Sequence, residues 1–257
     1  MSGSLLEAVT ELATLAGAVA LQYFGRALAV ESKSDGSPVT RADREAESVA
    51  RAWIEARFPD DGILGEEFGE TRPGARRRWL LDPVDGTRAF VKGVPLWGTL
   101  VAVVEGETVL AGAAEFPATR ERIAAARGAG CFWNGERCHV SSVASLAQAT
   151  VLATDAAFQR TPERGGIWHA LAARADTART WGDCFGYLMV ATGRAELMTD
   201  GTLSPWDAAA LHVIVEEAGG VFTDWRGRAT AFGDGAIATN AVLASELRQL
   251  LGVAVAV

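Results

Sequence analysis

Two carboxylates follow directly on an apolar run in the segment Trp79-Leu-Leu-Asp-Pro-Val-Asp-Gly-Thr-Arg-Ala-Phe90. The apolar residues predict a short buried strand, and Pro83, which has no donor N–H, predicts that the strand ends at Asp82. Asp82 and Asp85 stand three residues apart across the expected turn. Their carboxylates and the intervening Val84 carbonyl can therefore converge on one hard cation.

An anion site is predicted immediately after these carboxylates. Gly86 permits a tight bend, and Thr87 opens a helix whose free backbone N–H groups can bind a phosphate. A cation and a phosphate would then meet at one place. The alternative is an aspartate-rich turn whose carboxylates only cap the helix.

Other motifs along the chain extend this pattern. Gly65-Glu66-Glu67 precedes the segment, and Ser204-Pro-Trp-Asp207-Ala-Ala and Glu217-Ala-Gly-Gly220 follow it. In this order the motifs resemble the inositol monophosphatase superfamily of magnesium-dependent phosphatases, over nearly the whole chain. Trp181-Gly-Asp-Cys-Phe-Gly-Tyr187 and Leu203-Ser-Pro-Trp-Asp-Ala-Ala-Ala210 are most similar to its histidinol-phosphate phosphatase branch.

The predicted fold class is α/β, because helical periods and short apolar strands occur along the whole chain. The resemblance sharpens this to a layered αβαβα sandwich of the sugar-phosphatase type. A change of composition near Ser141-Ser142 predicts a boundary between two lobes, residues 1–140 and 141–257, and the resemblance implies that the N-terminal lobe is α+β and the C-terminal lobe α/β.

The local patterns predict several elements in detail. We expect a first helix ended by Gly25, a second from Thr40 to about Phe58, and hairpins around Glu105-Gly106-Glu107 and Asn134-Gly135. The most clearly capped helix begins with Ser204 at the N-cap and Pro205 at N1.

Composition limits the classes of function. The 257 residues are 49% hydrophobic and carry a net charge of -8, which argues against a nucleic-acid surface. The three histidines have no zinc-motif spacing, and the three cysteines form no disulfide framework, as expected of a cytoplasmic protein. The N-terminal stretch contains Glu7 and Glu11, so we expect neither a signal peptide nor a membrane span.

The resemblance implies a metal site for two to three Mg²⁺ ions. Glu66, Asp82 and the Val84 carbonyl would hold one ion, and Asp82, Asp85 and Asp207 a second. A third, weaker ion is expected near Glu66.

The resemblance also implies catalytic groups around these ions. Glu67, Thr87 and Asp43 would orient the attacking water, and a loop at Lys33 would cover the site. Considered alone, Glu66 and Glu67 are ordinary surface charges, Asp207 completes a capping box, and Asp43 is a first-turn acid.

The resemblance further implies substrate contacts from Asp85, the Gly86 and Thr87 amides, Asp183 and Asp200. A carboxylate at Asp183 would favour a leaving group that carries a cation, so we predict L-histidinol phosphate, a histidine-biosynthesis intermediate, with Trp181 or Phe185 lining the pocket. The alternative is that Asp183 caps the helix near Phe185.

Rival functions stay open at this point. They are an inositol-1-phosphate phosphatase, a bisphosphatase using Arg26, Arg88 or Lys92, and a non-catalytic metal- or phosphate-binding protein. The expected partners are a small phosphate monoester and a second copy of the chain in a homodimer, with no nucleic acid and no membrane.

Overall fold

The computed structural model describes residues 2–26, 30–32 and 38–253, so the predicted Lys33 loop lies outside the described residues. Helix α1 (Ser2–Leu21) ends four residues before Gly25, and the chain leaves it through turns in which Gly25 has a φ of 72°. Helix α2 (Arg41–Arg57) has the predicted limits. The short strands β1 (Glu31–Ser32) and β2 (Pro38–Val39) pair antiparallel before it.

The N-terminal part of the described chain builds an eight-stranded sheet. Its strands are β3 (Gly62–Gly65), β4 (Gly69–Thr71), β5 (Arg77–Asp85), β6 (Gly98–Glu105), β7 (Thr108–Phe116), β8 (Glu121–Ala126), β9 (Gly130–Trp133) and β10 (Glu136–Arg137). Their order is β10-β9-β8-β7-β6-β5-β3-β4, and all neighbours are antiparallel except β3 and β5. Both predicted hairpins are confirmed, as β6–β7 and β9–β10. At the second turn Asn134 and Gly135 both have positive φ, as that turn pair favours.

A five-stranded sheet follows in the C-terminal part. Its strands are β11 (Thr150–Ala153), β12 (Thr177–Arg179), β13 (Leu197–Asp200), β14 (Val221–Thr223) and β15 (Ala236–Thr239), in the order β12-β11-β13-β15-β14. The helices after α2 are α3 (Thr87–Val91), α4 (Pro162–Ala172), α5 (Asp183–Ala191), α6 (Pro205–Glu217) and α7 (Ala244–Leu250).

The sheets and helices stack in five layers, which confirms the predicted αβαβα sandwich. Alternation along β5 sends Trp79 and Leu81 into a core with α1 and α2, and sends Leu80 into a second core with α5 and α6. That second core also receives one face of the five-stranded sheet, whose other face packs on α4 and α7. Helices α5 and α6 therefore lie between the two sheets.

Close packing brings α6 against the large sheet. A Cβ added at Gly112 of β7 would lie 2.7 Å from the Cα of Ala210, so only glycine allows this approach. The small residues Ala208, Ala209 and Ala210 are buried at this contact. The N-terminus of α6 is thereby fixed relative to β5. Among the described helices, none combines the length and the apolar character that a bilayer crossing requires.

Candidate active site

Strand β5 carries the first two carboxylates, but it does not end at Asp82 as the sequence predicted. It continues through Pro83 to Asp85, because the register with β6 shifts between Asp82 and Asp85. A bulge of this kind accommodates a residue without an N–H and redirects the side chains around it. Asp82 Oδ1 accepts from the Val84 amide at 3.0 Å, and the Thr99 hydroxyl donates to the Pro83 carbonyl at 2.7 Å.

The turn after β3 brings Glu66 to the same place. Parallel pairing sets Gly65 beside Leu81, and the Glu66 amide donates to the Leu81 carbonyl at 3.1 Å. The carboxyl groups of Glu66 and Asp82 share a hydrogen bond. Glu66, separated from Asp82 by 16 positions in the chain, is therefore its neighbour in space.

Helix α6 supplies the third carboxylate of the cluster. Asp207 Oδ2 accepts from the Ser204 amide at 2.9 Å, which completes a capping box and confirms Ser204 at the N-cap. One oxygen atom each of Asp82, Asp85 and Asp207 lies within 4.8 Å of the other two. Asp207 thus caps the helix and lies in the acidic cluster, while its function as a metal ligand stays a prediction.

The buried carboxylates of the cluster repel one another, and a bound cation would relieve this repulsion. Burial, followed by the charge of Glu66, raises the pKa of Asp82 well above its usual range. Burial and the Asp207 charge raise the pKa of Asp85 to about 7, and burial and Glu66 raise the pKa of Asp207 to about 7. Carboxylates that repel one another in this way, with oxygen as the only donor type, fit Mg²⁺ or another hard divalent cation.

The predicted anion site lies next to the cluster. Gly86 adopts a φ of 83° as the N-cap of α3, a conformation that glycine allows without strain. The Thr87 hydroxyl donates to the Val84 carbonyl at 3.0 Å, so two of the predicted site groups contact each other. Helix α3 is only five residues long.

Asp43 and Glu67 do not belong to the cluster of Asp82, Asp85 and Asp207. Asp43 Oδ2 accepts from the Thr40 amide at 2.9 Å and from the Thr40 hydroxyl at 2.7 Å, which caps α2. Burial, with a smaller contribution from the Glu66 charge, raises the pKa of Asp43. Glu67 follows Glu66 on the same turn, and neither Glu67 nor Asp43 lines the cleft described next. Their catalytic assignment stays a prediction.

A cleft of about 650 Å³ runs from the cluster toward the C-terminal part of the chain. Apart from Asp43 and Glu67, every predicted site residue lines it. These residues are Glu66, Asp82, Val84, Asp85, Gly86, Thr87, Asp183, Asp200 and Asp207.

Asp183 begins α5 with a φ of 51°, an uncommon conformation for any residue with a side chain. Its amide donates to the Thr154 hydroxyl at 2.7 Å, and its Oδ2 lies 3.3 Å from where a Cβ of Gly86 would be. The next amide, of Cys184, donates to Asp85 Oδ2 at 2.6 Å. Asp183 is therefore held beside the predicted phosphate site by contacts with both parts of the chain.

Asp200 ends β13 and is buried deeper in the cleft. The Tyr187 hydroxyl donates to its Oδ2 at 2.9 Å. Burial raises the pKa of Asp200 to about 6, and burial followed by the charges of Asp85 and Asp200 raises the pKa of Asp183. The lining of the cleft beyond the cluster is thus acidic as well.

The aromatic lining differs from the prediction. Trp181 is 39% exposed and does not line the cleft, and Phe185 packs on Phe116 with ring centroids 5.7 Å apart. Phe158 and Trp206 line it instead. The prediction was wrong because Trp181 precedes α5 and is exposed, whereas Phe185 on α5 packs against Phe116 of the large sheet.

Several lining residues were not predicted. Thr154 and Asp155 follow β11, and residues after a strand of a parallel pair are where α/β sheets commonly bind ligands, so this signal was present in the sequence. Tyr187 carried no such signal, because its hydroxyl reaches Asp200 only through the packing of α5 on β13. Of the basic residues considered for a second phosphate, Arg88 lines the cleft, and Arg26 and Lys92 do not.

Comparison with known proteins agrees with this geometry. The family model for the inositol monophosphatase family matches residues 2–255. A histidinol-phosphatase of Chlorobaculum parvum is 46% identical over 250 residues, covering 96% of both chains. A histidinol-phosphatase of Mycobacterium tuberculosis is 38% identical and covers 86% of both. The solved structure of an IMPase from Thermotoga maritima superposes with a TM-score of 0.88 at 31% identity, covering 97% of both chains. The chain belongs to the inositol monophosphatase family.

Proposed function

We propose that the protein is a Mg²⁺-dependent phosphate monoester hydrolase that converts L-histidinol phosphate to L-histidinol and phosphate. The observation that carries the hydrolase assignment is the cluster of Asp82, Asp85 and Asp207, joined by Glu66, directly before the N-terminus of α3. The relatives described above are histidinol-phosphatases, which supports the choice of substrate.

The proposed metal ligands are the oxygen donors of the acidic cluster and its neighbours. Glu66, Asp82 and the Val84 carbonyl would hold one Mg²⁺ ion, and Asp82, Asp85 and Asp207 a second, with a third, weaker ion near Glu66. When bound, such ions supply positive charge to the attacking and leaving oxygens of an in-line displacement.

The chain itself would bind and orient the reactants. The Gly86 and Thr87 amides bind the phosphate oxygens, and Glu67 and the Thr87 hydroxyl, with Asp43, orient the attacking water. Asp85 accepts from the Cys184 amide, and this hydrogen bond fixes the two sides of the cleft relative to each other.

Two carboxylates would select the leaving group. Asp183 and Asp200 line the cleft, Asp183 next to Gly86 of the proposed phosphate site, and their negative charge is unfavourable beside a phosphate. A substrate that carries an ammonium and an imidazole compensates this charge, whereas a neutral polyol does not. L-histidinol phosphate therefore fits the cleft better than inositol phosphate does.

Removal of metal tests the hydrolase assignment. EDTA-stripped protein should release no phosphate from L-histidinol phosphate, and added Mg²⁺ should restore release. Equal turnover with and without EDTA would sink the assignment.

We further propose a homodimer in the cytoplasm, in keeping with the family and with the free thiols of all three cysteines.

A further inference from the structure

The turn that carries Glu66 is fixed from two sides. On the side of the sheet, the Glu66 amide donates to the Leu81 carbonyl at 3.1 Å. On the other side lies α2, which approaches the turn with the side chain of Glu47. The backbone around Glu66 therefore lies between the large sheet and α2.

Glu47 is a fully buried carboxylate that accepts from the backbone of this turn. Its exposed fraction is 0%. Oε2 accepts from the Glu67 amide at 2.8 Å, and Oε1 accepts from the Phe68 amide at 3.2 Å. Hydrogen bonds to an ionised group are among the stronger ones, so the two amides next to Glu66 are held firmly.

Arg51, one helical turn further along α2, fixes the orientation of Glu47. Its Nε donates to Glu47 Oε1 at 2.7 Å, and its two terminal nitrogens donate to the Thr71 hydroxyl, at 2.8 Å, and to the Gly69 carbonyl. The planar guanidinium presents these donors in a fixed fork. The Glu47–Arg51 pair thus holds both the turn and the strand that leaves it.

Gly65 leaves the space that Glu47 occupies. A Cβ at Gly65 would lie 2.0 Å from Glu47 Oε1 and 2.4 Å from its Cδ. The carboxylate therefore sits where a side chain at Gly65 would be, directly before Glu66. A substitution at Gly65 must displace it.

We propose that Glu47, held by Arg51, is a positioning residue that aims Glu66 at Asp82 and so sets the affinity of the site for Mg²⁺. Partners of metal ligands act in this way by orienting the ligand, and their loss typically weakens metal binding by about 10–100-fold. This inference rests on the proposed function, since it takes Glu66 as a Mg²⁺ ligand.

The test measures Mg²⁺ binding directly, by isothermal titration calorimetry of the EDTA-stripped protein. Glu47→Gln keeps the size of the side chain but removes the charge and one acceptor. We expect it to weaken Mg²⁺ binding by about tenfold or more. In the assay of phosphate release, the Mg²⁺ concentration for half-maximal rate should rise by the same factor, while kcat at saturating Mg²⁺ and KM for substrate stay near wild type.

Glu217→Gln is the matched control. Glu217 also accepts from two backbone amides of a turn, those of Gly128 and Gly130, both at 2.7 Å. It lies ten residues beyond Asp207 on α6, about 15 Å along the helix axis. Both variants should lower the melting temperature, but only Glu47→Gln should change the Mg²⁺ affinity.

Gly65→Ala and Arg51→Lys provide independent variants if Glu47→Gln does not fold. Each disturbs the Glu47 carboxylate without removing it, and each should weaken Mg²⁺ binding. Wild-type Mg²⁺ affinity in a folded Glu47→Gln variant, or in both Gly65→Ala and Arg51→Lys, would overturn the inference. An equal loss of Mg²⁺ affinity in Glu217→Gln would overturn it as well. Failure of the wild-type protein to bind Mg²⁺ would instead refute the proposed function.

Discussion

Asp85→Asn should stabilise the metal-free protein at alkaline pH, although Asp85 belongs to the proposed machinery. In the folded protein, burial and the Asp207 charge raise the pKa of Asp85 from 3.8 to about 7. The folded state therefore binds more protons than the unfolded state between these two values, and stability falls as pH rises through that window. Above pH 7 the folded protein contains an unfavourable charge that asparagine lacks.

The magnitude follows from the shift. A change of about 3 pKa units corresponds to about 4 kcal/mol, at 1.36 kcal/mol per unit. In a protein of this size that amounts to roughly 10 °C in melting temperature. Asparagine retains an oxygen that can accept from the Cys184 amide, so the contact across the cleft is preserved.

Melting of both proteins in EDTA at pH 5 and pH 8 provides the assay. At pH 5 the variant should melt only a little higher, because pH 5 lies in the lower part of the window between 3.8 and about 7, and at pH 8 the difference should reach its full size. The contribution of His212 to stability is the same in both proteins and cancels in the comparison. Burial lowers the pKa of His212 to about 4, so this residue adds stability to both proteins as pH rises from 4 toward 6.5. Added Mg²⁺ should raise the melting temperature of the wild type more than that of the variant. A variant that melts lower than wild type at pH 8 in EDTA would refute this account of the cluster.

Three further predictions concern the substrate, the anion site and the assembly. Asp183→Asn should reduce kcat/KM for L-histidinol phosphate by roughly tenfold or more, through loss of one charge-assisted hydrogen bond, and change inositol phosphate turnover little; equal loss on both substrates would indicate a structural role for Asp183. Gly86→Ala should lower stability by about 1 kcal/mol or more and raise KM in steady-state kinetics. The reason is that the φ of 83° at Gly86 disfavours a side chain and that the new Cβ would lie 3.0 Å from the Leu96 carbonyl oxygen. An unchanged KM would show that the Gly86 amide does not belong to the anion site. Light scattering should give a mass near twice the 27.0 kDa of the chain, whereas a monomer mass would contradict the proposed dimer.

Local patterns predicted Asp82 and Asp85 as cation ligands, whereas Asp207 was added to them by the family resemblance, since its own pattern indicates a helix cap. Asp82 and Asp85 flank a proline after an apolar run, and Asp207 follows a Ser-Pro helix start. The path of the chain between them was harder to predict. The bulge that carries β5 through Pro83 depends on the pairing partner β6, which no local pattern reveals.

Residues that act through tertiary contacts could not be predicted in the same way. Glu47 reads as one of several charges on a helix, and only the packing of α2 on the turn after β3 shows that it is buried and contacts the Glu67 amide. Tyr187 has an apolar helical context, and its contact with Asp200 requires the two elements to meet. The exchange of Trp181 and Phe185 for Phe158 and Trp206 has the same origin, since the contact of Phe185 with Phe116 and the places of Phe158 and Trp206 in the cleft depend on how separate elements pack.

The most direct test of the proposed substrate compares kcat/KM for L-histidinol phosphate and inositol 1-phosphate on the same Mg²⁺-loaded wild-type protein. The acidic lining of the cleft predicts a clear preference for L-histidinol phosphate, because its cations compensate Asp183 and Asp200. A preference for inositol 1-phosphate would contradict it.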